Sequence, residues 1–225
     1  LYGVPPGDAP GLLSLPLFAL LGVLIPFVAL LFRSSIESFE RIFRKVPLPV
    51  WGKTAIGGAV VGLLAWWIPE VWGNGYDAVA EVLLGNVLPA VLLPLLLAKI
   101  VATASSIGSG GSGGVFTPTL LVGAAGGALF AVGAHSALPA LHVQSVYFTL
   151  GGMAAAIAST TFAPITALIM VFEMSQDYGA VIPLAVVVVT ATALSRMLRR
   201  DSIYTEALRR RGLDFDLAFE QMALV

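Results

Sequence analysis

Cysteine is absent from the 225-residue chain, and charged residues make up only 11% of it. The lack of cysteine excludes disulfides and thiolate metal sites. The two histidines, His135 and His142, have no cluster of carboxylates beside them, so no metal centre is predicted. A soluble domain carries about one quarter charged residues. Here 58% of the residues are hydrophobic and the mean hydropathy is +0.93, which predicts an integral, multi-pass membrane protein of the inner or plasma membrane.

Other classes of function lack their sequence signatures. The formal net charge is −1, so there is no dominant basic surface to bind nucleic acid. The sequence shows no nucleophile and base pair, and its glycine-rich stretch lacks the Gly-Lys-Ser or Gly-Lys-Thr ending of a phosphate-binding loop. We therefore predict neither an enzyme nor a bound cofactor.

Apolar runs of helical-span length recur along the chain. About 20 residues are needed to cross a bilayer core. Proline and glycine interrupt several runs, so we expect an all-α protein with tilted, discontinuous helices rather than uniform vertical spans. The runs are Leu12–Phe32, Thr54–Ile68, Val87–Ala104, Val115–Ala134, Val146–Phe172 and Val181–Leu194, and the prolines within them are Pro16, Pro26, Pro94, Pro118, Pro164 and Pro183.

The charged residues predict how these runs are oriented. Basic residues cluster after the first run and after the last, and we expect both ends in the cytoplasm because cytoplasmic loops are rich in Lys and Arg. The segment Pro69–Asn86 carries only acidic charges, so we expect it to be an external loop. The basic residues are Arg33, Arg41, Arg44, Lys45 and Lys53 in the first cluster, and Arg196, Arg199, Arg200, Arg209, Arg210 and Arg211 in the second.

The segment from Gly108 to Gly114 has five glycines among seven residues and lies between two apolar runs. Irregular backbone persists at membrane depth only inside protein or around a wet cavity, so this segment is expected to line a site. An apolar helix begins next, near Phe116, with Pro118 in its first turn, where the missing proline N–H has no cost. Free amides at a helix start, with about half a positive charge, suit an anion.

No Lys or Arg occurs from Ile100 to Leu194. Partial charges and hydroxyls there would bind a small anion weakly enough to release it. The residues leave two other interpretations open. The glycines can serve close helix packing, as Gly123 and Gly127 are expected to do in the next helix. The site can also accept a cation or an organic solute.

The stretch Gly108–Pro118 resembles the GxFxP signature of the CLC chloride channel and transporter family, with its glycine-rich lead. Two later stretches resemble the same family in the same order, Ala163–Met174 and Asp201–Gly212. The resemblance implies a CLC-type fold of tilted and half-crossing helices, of which residues 1–212 are the second inverted repeat and the carboxyl-terminal half of the transmembrane domain. Residues 213–225 would begin a cytosolic tail or linker.

The resemblance also implies a site. The backbone amides of Val115 and Phe116 would point at the transported chloride, Tyr204 would donate a hydroxyl hydrogen bond from the inner side, and Gly113, Gly114 and Pro118 would support the loop. Chloride is then the transported ion rather than a cofactor. The implied partners are the amino-terminal half of the same protein, a second subunit in a homodimer, and membrane lipid.

The family's GSGxP and GxExP segments are missing from this chain, and the resemblance assigns them to the first half. A channel and a chloride/proton exchanger both remain open. The chain begins at Leu1 without a signal-peptide pattern, so we expect a fragment of a longer protein. The alternative functions are a broken-helix transporter of another solute and a non-transporting fragment that serves as a dimerisation module.

Overall fold

A computed structural model describes residues 10–138 and 144–209. The predictions for His142, Arg210, Arg211 and residues 213–225, and for nearly all of the amino-terminal loop, lie outside these residues. The described residues form α-helices and short 3₁₀ turns and contain no strand, which confirms the all-α prediction. The helices are α1 Leu15–Lys45, α2 Val50–Trp67, α3 Tyr76–Leu83, α4 Pro89–Gly108, α5 Phe116–Ala137, α6 Ser145–Thr161, α7 Pro164–Ser175, α8 Val181–Leu198 and α9 Ile203–Arg209.

Four helical stretches in the described part of the chain are long and apolar enough to cross a membrane: Leu12–Lys45, Pro89–Gly108, Phe116–Ala137 and Tyr178–Glu206. Helix α2 carries exposed tryptophans near both ends, Trp51 at one and Trp66 and Trp67 at the other. Trp side chains favour the two membrane–water interfaces, so this placement suits a helix that spans between them.

Prolines within the predicted runs do not by themselves end a helix, and one run is divided at a left-handed residue instead. Pro26 lies inside α1 and Pro94 inside α4, and both helices continue through them. Neighbouring helices can satisfy the backbone groups that proline frees inside a membrane bundle, so proline alone does not end a span. The run predicted over Val146–Phe172 is divided into α6 and α7 by Phe162, whose φ is 59°. Pro164 then starts α7 in its first position.

Helix α6 lies at the centre of the bundle, and every residue from Val146 to Thr160 is buried. Helix α5 crosses it at a point where both helices carry glycine. A Cβ on Gly123 would lie 2.7 Å from the Ala156 Cβ, and one on Gly127 would collide with the Phe148 carbonyl oxygen. Both helices can therefore approach to backbone contact, which confirms the packing role predicted for Gly123 and Gly127.

The prediction of a loop over Pro69–Asn86 is wrong, because this segment contains helical structure. It contains a 3₁₀ turn, Pro69–Val71, and the helix α3. Val79 and Val82 of α3 are buried in the main hydrophobic core, whereas Asp77 and Glu81 are exposed. This eight-residue helix is amphipathic and short, so its charged face dominated the sequence pattern. Its location outside the membrane stays a prediction.

Candidate functional site

Close packing explains the first part of the glycine-rich segment. A Cβ on Gly108 would lie 2.7 Å from the Phe39 Cβ and 2.9 Å from the Glu40 backbone nitrogen of α1. Gly110 has a φ of +90°, which other residues adopt at a cost. A Cβ on Gly111 would lie 2.7 Å from the Ser106 carbonyl oxygen. Gly108 is therefore required by the packing of α4 on α1, and Gly110 and Gly111 by the turn that ends α4.

The last two glycines have no such explanation within the described residues. Gly113 and Gly114 are exposed. A Cβ on Gly114 would meet nothing within 4 Å, and one on Gly113 would make only an ordinary contact of 3.6 Å with Ile107. Packing and the turn thus account for Gly108, Gly110 and Gly111 but not for Gly113 and Gly114. The described residues therefore leave the backbone of Gly113 and Gly114 uncovered.

Helix α5 begins directly after this open backbone. Val115 occupies the N-cap position, and no side chain among residues 10–138 and 144–209 caps the helix start. The Thr119 amide donates to the Val115 carbonyl oxygen at 3.0 Å, and the Thr119 hydroxyl donates to the same oxygen at 2.7 Å. The amides that precede Thr119 have no intrahelical acceptor, and Pro118 has no N–H to satisfy. The helix start therefore presents donors and partial positive charge, which suit an anion.

Hydrophobic packing brings the start of α5, at Val115, and the start of α9 to one cluster. Val115 and Ile203, the residue before Tyr204, pack against one cluster, whose members are Phe32, Ile36, Leu96, Ile100, Ala104, Val122 and Ala125. Phe116 packs against the main core instead. Tyr204 is 47% exposed, and within the described residues no hydrogen bond joins it to Val115 or Phe116. The start of α9 and the start of α5 thus share a cluster, without a direct polar contact between them.

Two polar features beside the site were not identified from the sequence. The Thr117 hydroxyl donates to the Tyr76 hydroxyl at 3.4 Å, which links the start of α5 to the start of α3. Lys99 is buried in α4, and its ammonium donates to the carbonyl oxygens of Val71 at 3.0 Å and Gly73 at 2.9 Å. An ionisable residue within an apolar span often marks a functional site, so this signal could have identified Lys99 from the sequence. The segment without Lys or Arg begins at Ile100, and Lys99 lies one residue before it.

The described residues contain no group of three or more His, Asp or Glu side chains that could hold a metal ion. The family described as "Voltage gated chloride channel" matches residues 1–196, which include the whole glycine-rich segment and α5.

Bacterial relatives match at about two-fifths identity. A ClcB-like chloride channel protein of Ralstonia nicotianae is 40% identical over 175 residues, which are 78% of this chain and 41% of that protein. The voltage-gated ClC-type chloride channel ClcB of Escherichia coli O81 is 39% identical over 186 residues, 82% of this chain and 44% of that protein. The chain therefore spans less than half the length of these relatives.

A solved structure has the same fold. The crystal structure of a slow cyanobacterial Cl⁻/H⁺ antiporter superposes with a TM-score of 0.85 at 26% identity, and the match covers 93% of this chain and 49% of that one. The predicted family and the predicted CLC-type fold are confirmed. The extent of the match fits a chain that forms the carboxyl-terminal half of such a protein.

Proposed function

Since the chain belongs to the voltage-gated chloride channel family, an integral membrane family, we propose that it forms one half of a pathway that carries chloride or a similar small anion across the membrane. The similar proteins support transport in both forms, because some are described as chloride channels and one as a Cl⁻/H⁺ antiporter. The proposal covers both forms. It assigns the chain a role in transport rather than in catalysis.

The open backbone at Gly113 and Gly114 carries this proposal. Neither glycine is required by packing inside the described residues, and both lie directly before the uncapped start of α5. Both positions directly precede the first amides of α5, and neither carries a side chain. Glycine leaves those amides accessible, so we assign the anion to the space in front of Val115 and Phe116.

The binding groups in front of α5 suit transit rather than storage. Val115 and Phe116 lie in the segment Ile100–Leu194, which contains no Lys or Arg, so this segment would offer the anion amide dipoles and hydroxyls. Conduction requires binding that is favourable enough for entry and weak enough for exit. Tyr204, on α9, is the proposed hydroxyl donor from the inner side.

The same exposed backbone argues for the amino-terminal half as a partner. Gly110 and residues 112–114 are exposed in this chain, yet their irregular backbone cannot face hydrocarbon without a cost of several kcal/mol for each unsatisfied group. A second repeat packed there would cover it and complete the cavity, because inverted-repeat transporters bind their substrate at the repeat interface. We also propose that the protein formed by the two halves is a homodimer embedded in membrane lipid.

Removing one backbone donor tests the site without changing a side chain. Replacing Phe116 by its α-hydroxy analogue converts its amide N–H into an ester oxygen and keeps the ring. A hydrogen bond to a charged group contributes roughly 1.5 to 3 kcal/mol, so chloride affinity measured by calorimetry should fall about tenfold to a hundredfold.

The matched control is the same replacement at Trp51, the second residue of α2, whose amide also lies in a first helical turn. The Trp51 ester should leave chloride affinity unchanged. Equal affinities for the Phe116 ester and the unmodified protein would remove the start of α5 from the anion site.

A further inference from the structure

Arg33 is a deeply buried arginine on α1 that reaches the far end of the chain. Its side chain is only 5% exposed. Its Nε donates to Glu206 Oε2 at 3.0 Å, a terminal nitrogen donates to the same carboxylate, and the other terminal nitrogen donates to the Asp201 carbonyl oxygen. These partners lie 168 and 173 residues along the chain. Arg33 therefore ties α1 both to α9 and to the segment that leads into it.

Further charged residues surround these contacts. Glu37, one turn after Arg33 on α1, lies 3.6 Å from Arg33 and 3.6 Å from Arg199 at the end of α8. Arg209, the last residue of α9, pairs with Asp201 at 2.6 Å. Arg199, Glu37, Arg33 and Glu206 thus form a row of alternating charges, in which Arg33 lies between two carboxylates. Removing one member of a buried pair is costly because the other charge is left buried.

Helix α9 needs such an anchor. It has seven residues, and isolated helices of that length are not stable in water. Its start is capped locally, because the Ser202 hydroxyl accepts from the Thr205 amide at 3.1 Å. Ile203 adds an apolar contact with the cluster that also holds Val115. Arg33 supplies the ionic contact that fixes the middle of the helix to α1.

The anchored residue and Tyr204 lie on different faces of α9. Glu206 follows Tyr204 by two residues, and a helix of 3.6 residues per turn separates such positions by about 200° around its axis. Fixing Glu206 against α1 therefore turns Tyr204 away from α1, which agrees with its exposure of 47%. The ion pair between Arg33 and Glu206 thus sets the orientation of Tyr204, although Tyr204 takes no part in it.

We propose that Arg33 is the positioning residue for Tyr204: its ion pair with Glu206 holds α9 in the orientation that presents the tyrosine hydroxyl to the anion. The structural part of this inference needs no assumption about transport. The functional part rests on the proposed role of Tyr204 in the anion pathway.

Hydrogen exchange of the α9 amides tests the anchor in the protein that carries this chain together with its amino-terminal half. Arg33→Gln and Glu206→Gln should each raise the exchange rate of residues 203–209 by about tenfold to a hundredfold. The effects of the two changes should be less than additive in the double variant, because both break the Arg33–Glu206 contact. Arg33→Lys should be intermediate, since lysine keeps the charge but loses the fork geometry.

Arg41→Gln is the matched control, because Arg41 is an exposed arginine on the same helix and its hydrogen bonds go to Glu37 and Ser38 of α1 itself. It should leave exchange in α9 unchanged. If Arg33→Gln does not assemble, Glu206→Gln carries the test, since that side chain is 21% exposed. Unchanged exchange in Glu206→Gln would overturn the anchor whether or not the protein transports chloride.

Chloride flux in proteoliposomes tests the link to Tyr204. Arg33→Gln should raise the chloride concentration at half-maximal flux about tenfold, and it should add less than about threefold when Tyr204 is already phenylalanine. A purely structural role would lower the maximal flux and leave the half-maximal concentration unchanged. Faster exchange in α9 with an unchanged half-maximal concentration would overturn the positioning role.

Discussion

The crossing of α5 and α6 gives a stability prediction that can be worked from backbone geometry. An alanine at Gly127 would place its Cβ on the Phe148 carbonyl oxygen and 2.9 Å from the Thr149 Cα. Both are backbone atoms of α6, so no side-chain rotation can relieve the contact. The two helices would have to separate by on the order of 1 Å at a point where the interior is closely packed.

Overpacking a core costs roughly 1 to 3 kcal/mol, and a clash between backbones belongs at the upper end of that range. Replacing glycine by alanine in a helix returns about 0.5 to 1 kcal/mol. We therefore expect Gly127→Ala to destabilise the protein by about 2 kcal/mol. At roughly 2 to 4 °C for each kcal/mol, the melting temperature should fall by about 4 to 8 °C.

A thermal melt followed by tryptophan fluorescence in detergent measures this change. Gly133→Ala is the control, because Gly133 lies on the same helix and a Cβ there would meet nothing within 4 Å among the described residues. Its melting temperature should stay the same or rise slightly. Equal melting temperatures for the two variants would refute the assignment of Gly127 to backbone contact between α5 and α6.

Three further predictions concern topology, the anion and the buried lysine. Because the chain has no cysteine, an impermeant thiol reagent outside intact cells should label Asp77→Cys but not Glu40→Cys, and the opposite pattern would reverse the predicted orientation. Tyr204→Phe deletes one hydroxyl donor and keeps the ring, so chloride affinity measured by calorimetry should fall about tenfold to a hundredfold without a loss of folding. Lys99→Met leaves the buried Val71 carbonyl group without its donor and should destabilise the protein by roughly 1 to 3 kcal/mol in a thermal melt, whereas the exposed Lys45→Met should not.

The sequence was sufficient for the family, the helical class and the start of α5. A glycine-rich stretch followed by an apolar helix with an early proline is a local pattern, and the structure has α5 beginning at Phe116. The packing glycines Gly123 and Gly127 are local in the same sense, because their four-residue spacing places them on one helix face. Patterns within one helix turn or one motif can be interpreted without knowledge of the fold.

Contacts between distant segments could not be predicted in this way. Lys99 finds its two carbonyl acceptors 26 and 28 residues away, in a turn that the sequence pattern assigned to a loop. Arg33 was assigned to a basic cytoplasmic cluster, and its partner Glu206 stands 173 residues later. Charge patterns orient such residues relative to a membrane, but only the packing of α1 against α8 and α9 determines which of them pair.

The different roles of the glycines in the segment Gly108–Gly114 could be distinguished only from the three-dimensional structure. The sequence shows five equivalent glycines, yet Gly108 packs on α1, Gly110 has a positive φ, and Gly114 faces open space. Packing and anion binding, which the sequence left as alternatives, can therefore be assigned to different residues of one segment: packing and the turn to Gly108, Gly110 and Gly111, and the proposed anion site to Gly113 and Gly114.

The central claim is that this chain supplies one wall of an anion pathway that the amino-terminal half completes. Chloride efflux from proteoliposomes that contain the purified chain alone, compared with proteoliposomes that contain both halves co-expressed, tests it most directly. We expect no chloride flux from the chain alone, because its glycine-rich backbone lacks a covering partner, and chloride-selective flux once the halves assemble. Robust chloride-selective flux from the chain by itself would contradict the account and indicate an autonomous pore.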